Sequence, residues 1–129
     1  MSHKFPVHVY YEDTDLAGIV YYANYLKFIE RARTEWVRGM GIDQTALKQD
    51  EGIVFAVRRV EADYLNSAVF DDELVVETST VQVTGARIVL QQDVTRDSEV
   101  VFTSQVTLVA LSDTGQPVRL PANLRLMLH

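Results

Sequence analysis

The stretch from Tyr10 to Gly41, YYEDTDLAGIVYYANYLKFIERARTEWVRGMG, decides how the rest of the chain is arranged. Its first third is an acidic turn, Glu12-Asp13-Thr14-Asp15, followed by a small-residue bend at Ala17-Gly18. Beyond it, Tyr25, Phe28, Ile29, Ala32, Trp36 and Met40 recur at helical spacing, which predicts one amphipathic helix over 22–40 with a single apolar stripe. Tyr25 and Phe28 are expected in the core. The polar face carries Lys27, Glu30, Arg31, Arg33, Glu35 and Arg38, with Lys27 and Arg31 placed to pair with Glu30 and Glu35. Gly41 suits the position just past the helix end. A carboxylate cluster therefore meets a helix N-terminus, whose first N–H groups have no partner inside the helix and can hold an oxyanion or a phosphate. On extended backbone Asp13 and Asp15 share one side, and the positive end of the helix dipole offsets their repulsion.

Working outward, Phe5 to Tyr11 is β-branched and aromatic and predicts a first strand, while Asp43 caps a short helix over Gln44 to Gln49. Four longer strands follow, at Ile53 to Leu65, Glu73 to Thr84, Arg87 to Thr95 and Val100 to Leu111, separated by turn signals such as Thr84-Gly85 and Asp113-Thr114-Gly115. In the last strand Val106, Leu108 and Ala110 face one way and Gln105, Thr107 and Val109 the other, the alternation of an antiparallel sheet with one covered face. Only the helix over 22–40 is long enough to cover such a sheet. The expected fold is α+β, a curved antiparallel β-sheet wrapped around one long central α-helix. Leu120-Pro121 to His129 reads as a short tail.

A chain of 129 residues is the size of one domain, so 1–129 is read as a single unit. Apolar residues make up 47% and charged residues 23%, which excludes the composition of a disordered chain. The sequence holds no apolar run of membrane-spanning length and no secretory leader pattern at its start, and it has no cysteine. A cytoplasmic protein that does not span a membrane is expected, without disulfides or thiol chemistry. The net charge of -6 argues against nucleic-acid binding.

The run EDTDLAGIVYYANYLKFIERAR, followed by ADYLNSAVFDDELVVET, resembles the hot-dog-fold acyl-CoA thioesterases of the 4-hydroxybenzoyl-CoA thioesterase type, and most of all the branch of small bacterial acyl-CoA thioesterases that accompanies the Tol-Pal system. The resemblance implies that the second aspartate of the D-x-D motif, Asp15, is the catalytic carboxylate. It implies that the backbone N–H of Tyr22 polarises the thioester carbonyl. It further implies a dimer or homotetramer with active sites at subunit interfaces, an acyl-CoA substrate, and no cofactor beyond the coenzyme A of the substrate itself. Many members of the branch carry histidine where this chain has Tyr22, so Tyr22 is credited with its backbone alone. The family also grips the nucleotide phosphates with basic residues at the hairpin that here reads Thr84-Gly85-Ala86-Arg87, where only Arg87 is basic. Arg58 and Arg59 are further candidates for substrate binding, one of them facing solvent.

The chemistry of the residues agrees. Thioester hydrolysis needs a nucleophile or a base for water, together with donors aimed at the oxygen that turns negative. Asp15 and the Tyr22 N–H supply one of each, and Gly18 lets the backbone turn sharply beside the thioester. Whether Asp15 attacks carbon or deprotonates water stays open. Asp13 is read as a turn-former that bonds backbone N–H groups. Glu30 and Glu35, candidate bases on the helix, have cationic neighbours and read as solvated ion pairs.

Other chemistries fit less well. His3, His8 and His129 show no metal-ligand spacing, and no Gly-x-Ser-x-Gly elbow exists. A hydratase would need a histidine paired with an acid in the site. Asp113-Thr114-Gly115 is a triplet of small aspartic proteases, but it lies near the C-terminus before Gln116-Pro117 and reads as a hairpin turn. The alternative of a different class keeps the fold and drops catalysis, leaving a binding module for acyl carrier protein or a membrane-biogenesis partner.

Overall fold

A computed structural model describes residues 2–128. Its elements are strand β1 (His3–His8), a 3-10 turn (Tyr11–Asp13), helix α1 (Asn24–Gly39), helix α2 (Gln44–Glu51), strands β2 (Ile53–Tyr64), β3 (Glu73–Val83), β4 (Arg87–Arg96), β5 (Glu99–Ser112) and β6 (Pro117–Val118), and helix α3 (Ala122–Leu128). All strands join one antiparallel sheet in the order β1-β3-β4-β5-β2, with β6 added beside β5. The sheet wraps α1, which buries Tyr25, Phe28, Ile29, Ala32, Trp36 and Val37 against Leu74, Val76, Leu90, Val94, Val106 and Leu108. This is the α+β arrangement expected from the apolar stripe and the alternating strands. Among the described residues no helix is long and apolar enough to cross a membrane.

The helix ends as its sequence dictates. Gly41 takes a left-handed φ of 80° just beyond the C-cap Met40, and Asp43 caps α2 by accepting the Ala46 N–H at 3.0 Å. The Asp113-Thr114-Gly115 triplet forms the turn between β5 and β6, with the Gly115 N–H donating to the Ser112 carbonyl at 2.9 Å.

Several expectations need correction. The first strand stops at His8 and the acidic turn is wound rather than extended, because the Asp13 carboxylate accepts the Tyr10 N–H at 2.8 Å and closes a 3-10 turn. The two-residue alternation that put Asp13 and Asp15 on one side therefore does not apply. Helix α1 begins at Asn24 instead of Tyr22, since Asn24 and Leu26 donate to Tyr21 and Ala23 in tight turns before regular helix sets in. The ion pair on its surface is Glu35 with Arg38, at 2.7 Å, while Glu30 accepts from the Thr34 hydroxyl at 2.7 Å. Arg33 is not on the solvated face: it reaches inward to Gln92 at 2.9 Å. The tail contains α3, held by Leu124, which is 2% exposed; its last residue, His129, lies outside the described residues, as does Met1.

A polar stripe crosses the apolar core. Thr78, Gln92 and Ser104 are paired side by side on β3, β4 and β5, and all three are buried. Gln92 donates to the Ile29 carbonyl at 3.0 Å and to the Thr78 hydroxyl at 2.9 Å, and accepts from Arg33. Burial lowers the pKa of the Arg33 guanidinium, with Glu30 opposing. The stripe anchors α1 at a fixed height on the sheet, since each buried polar atom is satisfied only in that register.

Candidate active site

Asp15 sits at the tip of a miniature hairpin closed by the Thr14–Val20 bridge. Its N–H donates to the Ile19 carbonyl at 2.9 Å, its carbonyl accepts the Gly18 N–H at 2.9 Å, and its Oδ1 accepts the Ala17 N–H at 3.0 Å. Gly18 makes this possible with φ of 82°, a conformation a side chain disfavours. One carboxylate oxygen is thus anchored, while among the described residues Oδ2 has no hydrogen bond and Asp15 has no ion pair. Such a group is oriented yet chemically free.

The hairpin leads straight into the start of α1. Tyr21 donates its N–H to the Asp13 carbonyl at 2.9 Å, and the Asn24 side chain donates to the same carbonyl at 2.9 Å, so the acidic turn and the helix start are tied together. Among the described residues the N–H groups of Tyr22 and Ala23 donate to no acceptor. They are unpaired donors at the helix start, two and one residues before the first regular helical residue, Asn24. Around them the surface is aromatic and open in the single chain, with Tyr21 45%, Tyr22 61% and Tyr64 47% exposed.

The loop between β2 and β3 supports this hairpin from behind. Val20 donates to the Ala68 carbonyl at 2.8 Å, and Ile19 bridges to Val69. Asp72 fixes the loop by accepting the Val69 N–H at 2.9 Å and the Arg96 guanidinium at 2.8 Å, and Arg96 also donates to the Ser67 carbonyl at 2.8 Å. Partial burial works against the Asp72 charge, but the Val69 N–H and Arg96 hold its carboxyl below the ordinary carboxylate range.

The arginines separate into two groups. Arg58 and Arg87 line one cleft of about 430 Å³ together with Arg119, Val118 and Leu111. Arg59 is elsewhere, paired with Glu61 at 3.2 Å. The simple alternation predicted for the two neighbours is broken by a bulge between Val57 and Arg59, and both are exposed. Arg119 was not visible in sequence terms, because it lies between β6 and α3 and joins Arg58 and Arg87 in their cleft only through the fold. It crosses the hairpin at Gly85, where an added Cβ would come within 2.6 Å of its Nη2. The glycine that removes a basic side chain from the hairpin thus leaves room for another.

Comparison with known proteins decides the family. The model of the thioesterase superfamily matches residues 17–103. The chain belongs to the thioesterase superfamily. It is 40% identical to the acyl-CoA thioesterase YbgC of Haemophilus influenzae over 128 residues, covering 98% of this chain and 93% of that one. The crystal structure of a probable thioesterase from Bartonella henselae superposes with a TM-score of 0.89 at 35% identity, covering 94% of this chain and all of the other. A 4-hydroxybenzoyl-CoA thioesterase variant bound to 4-hydroxybenzoyl-CoA superposes with a TM-score of 0.93 over 99% of both chains, and at 21% identity it shares the fold. The sheet around α1 is the hot-dog fold of this superfamily.

Proposed function

We propose that the chain is an acyl-CoA thioesterase, hydrolysing an acyl-CoA to the free acid and coenzyme A, with Asp15 as the catalytic carboxylate and the Tyr22 N–H as oxyanion donor. The observation that carries this reading is the direct passage from an anchored but unpaired carboxylate to unpaired N–H groups at a helix start. The thioester carbonyl lies against those donors, which stabilise the oxygen as it becomes negative. Asp15 either adds to the carbonyl carbon, releasing the thiolate and leaving a mixed anhydride for water, or takes a proton from the attacking water. The step consumes water alone, so coenzyme A enters only as part of the substrate. Gly18 keeps the turn next to the carbonyl compact, while Arg58, Arg87 and Arg119 receive the nucleotide phosphates.

The working unit is at least a dimer, with tetramers of the same dimer as the larger form. Supporting this, β2 is an edge strand of 12 residues whose Val57, Val60 and Tyr64 are 45%, 39% and 47% exposed, the kind of edge that a second copy covers. Such a contact closes the open aromatic surface beside Tyr22. The absence of cysteine supports a cytoplasmic location.

A panel of short aliphatic, long aliphatic and aromatic acyl-CoA substrates, with acyl carrier protein thioesters alongside, tests the proposal. Release of free thiol from at least one coenzyme A ester at enzymatic rates is expected. Failure on every one, with measurable binding of acyl carrier protein, would replace the enzyme with a binding module.

A further inference from the structure

Tyr64, the last residue of β2, meets the helix start in a way the proposed chemistry has not used. Its hydroxyl donates to the Tyr22 carbonyl at 3.0 Å. That carbonyl is the one regular helix geometry would give to the Leu26 N–H, but Leu26 donates to Ala23 instead, at 3.2 Å. The peptide plane between Tyr22 and Ala23 is therefore held from outside the helix, by a residue 42 positions further along the chain. The same plane carries the Ala23 N–H, and its rotation changes the backbone angles on either side of the unpaired donors. A hydrogen bond accepted at its carbonyl also polarises the N–H of that plane, making it a stronger donor.

The ring of Tyr64 is fixed in turn. It packs edge-on against Tyr22, Tyr25 and Phe102 with centroids 6.1, 5.6 and 5.1 Å away. Tyr25 and Phe102 are core residues, 3% and 0% exposed, so the hydroxyl is presented from a rigid base. Burial pushes the phenol above its ordinary range, with Tyr22 adding to the effect, so the group stays a proton donor through neutral and mildly alkaline pH.

We propose that Tyr64 is a positioning residue of the thioesterase site, whose hydroxyl holds the Tyr22–Ala23 peptide so that the helix-start N–H groups point at the thioester oxygen. This rests on the proposed function. It gives β2 a second duty besides lying at the sheet edge, since the strand's last side chain sets the oxyanion donors.

The test is Tyr64→Phe, which deletes the hydroxyl and keeps the ring. On an acyl-CoA that the wild-type chain hydrolyses, kcat falls roughly three- to tenfold with KM and the unfolding midpoint unchanged, the size of one lost hydrogen bond. Backbone order parameters of the Tyr22 and Ala23 amides fall as well, and those of mid-helix residues do not. Equal kcat and equal order parameters in variant and wild type overturn the proposal while leaving the enzyme intact. A loss of kcat that only tracks a lowered unfolding midpoint overturns it too, in favour of simple packing. If the wild-type chain hydrolyses no thioester, the proposed function falls first and the role of Tyr64 with it.

Discussion

Replacing Gln92 with leucine tests how the central helix is held. Gln92 is fully buried and bonds Ile29, Thr78 and Arg33 through its side-chain amide. Leucine is close to it in volume, so the cavity contribution is small and the loss is polar. Arg33 loses a charge-assisted acceptor in a partly buried place, about 1.5–3 kcal/mol, and the Thr78 hydroxyl loses a neutral partner, about 0.5–1.5 kcal/mol. The Ile29 carbonyl keeps the N–H of its own helix, and the added apolar burial returns about 1 kcal/mol. The net destabilisation is about 1–3.5 kcal/mol, equivalent to a Tm lower by about 4–14 °C for a chain of this size. Thermal unfolding followed by far-UV circular dichroism, at one fixed protein concentration, reads it directly. Arg33→Met with Gln92→Leu completes a cycle: the double variant is expected to lose less than the two single losses added, because no charge is then left without its acceptor. A Gln92→Leu protein as stable as wild type, or strictly additive losses, would refute the network.

Arg87→Ala and Arg119→Ala each raise KM for coenzyme A thioesters about fivefold with kcat unchanged, the scale of an exposed charged contact. Steady-state kinetics with a truncated thioester lacking the nucleotide should show no effect, and Arg59→Ala should be silent on both substrates; a KM change on the truncated substrate contradicts the phosphate role. His8, whose ring nitrogens face Glu73 and Asp71, has its pKa raised chiefly by the Glu73 hydrogen bond, against some desolvation, with Asp71 adding to the rise. A raised folded-state pKa stabilises fully below the unfolded value near 6.5 and less as pH climbs through the folded value. The wild-type Tm should therefore drop on raising the pH above about 6.5 by more than that of His8→Gln, and parallel curves would contradict this. Arg96→Ala leaves the half-buried Asp72 without its guanidinium and costs about 1.5–3 kcal/mol in urea unfolding. Because Asp72 titrates below its ordinary range, its contribution is present above the unfolded pKa and lost as pH falls through the folded one, so the variant should also lose part of the wild-type acid sensitivity.

The apolar stripe of α1 was legible because a buried helix face imposes its period on the sequence, and Tyr25, Phe28, Ile29, Ala32 and Trp36 obey it. Gly41 and Asp43 were legible for a different reason, as backbone conformations that few residues satisfy. Where side chains competed with the backbone, local pattern failed. Asp13 drew the chain into a 3-10 turn that the β-branched and aromatic residues before it did not announce. Gln92 lay on the buried side of an alternating strand between Leu90 and Val94, a signal available in the sequence but overridden by its polarity. Helix α3 has only seven residues, and Leu124 packing on the core does more for it than propensity could. Of the candidate site, Asp15, Gly18 and Tyr22 follow one another closely and could be read together. Tyr64 joins it only because the sheet carries the end of β2 to the helix start, and Arg119 meets Arg58 and Arg87 only because β6 is laid beside β5.

The measurement that bears most directly on the account is turnover by Asp15→Asn. The amide keeps the shape of the turn and can still accept the Ala17 N–H, while losing both the nucleophile and the base. On the best acyl-CoA of the panel, kcat should fall by at least about a thousandfold, a loss of the size a nucleophile or general base supplies, with the unfolding midpoint and oligomeric state unchanged. Hydrolysis at the wild-type rate by a folded Asp15→Asn protein would contradict the assignment of this carboxylate.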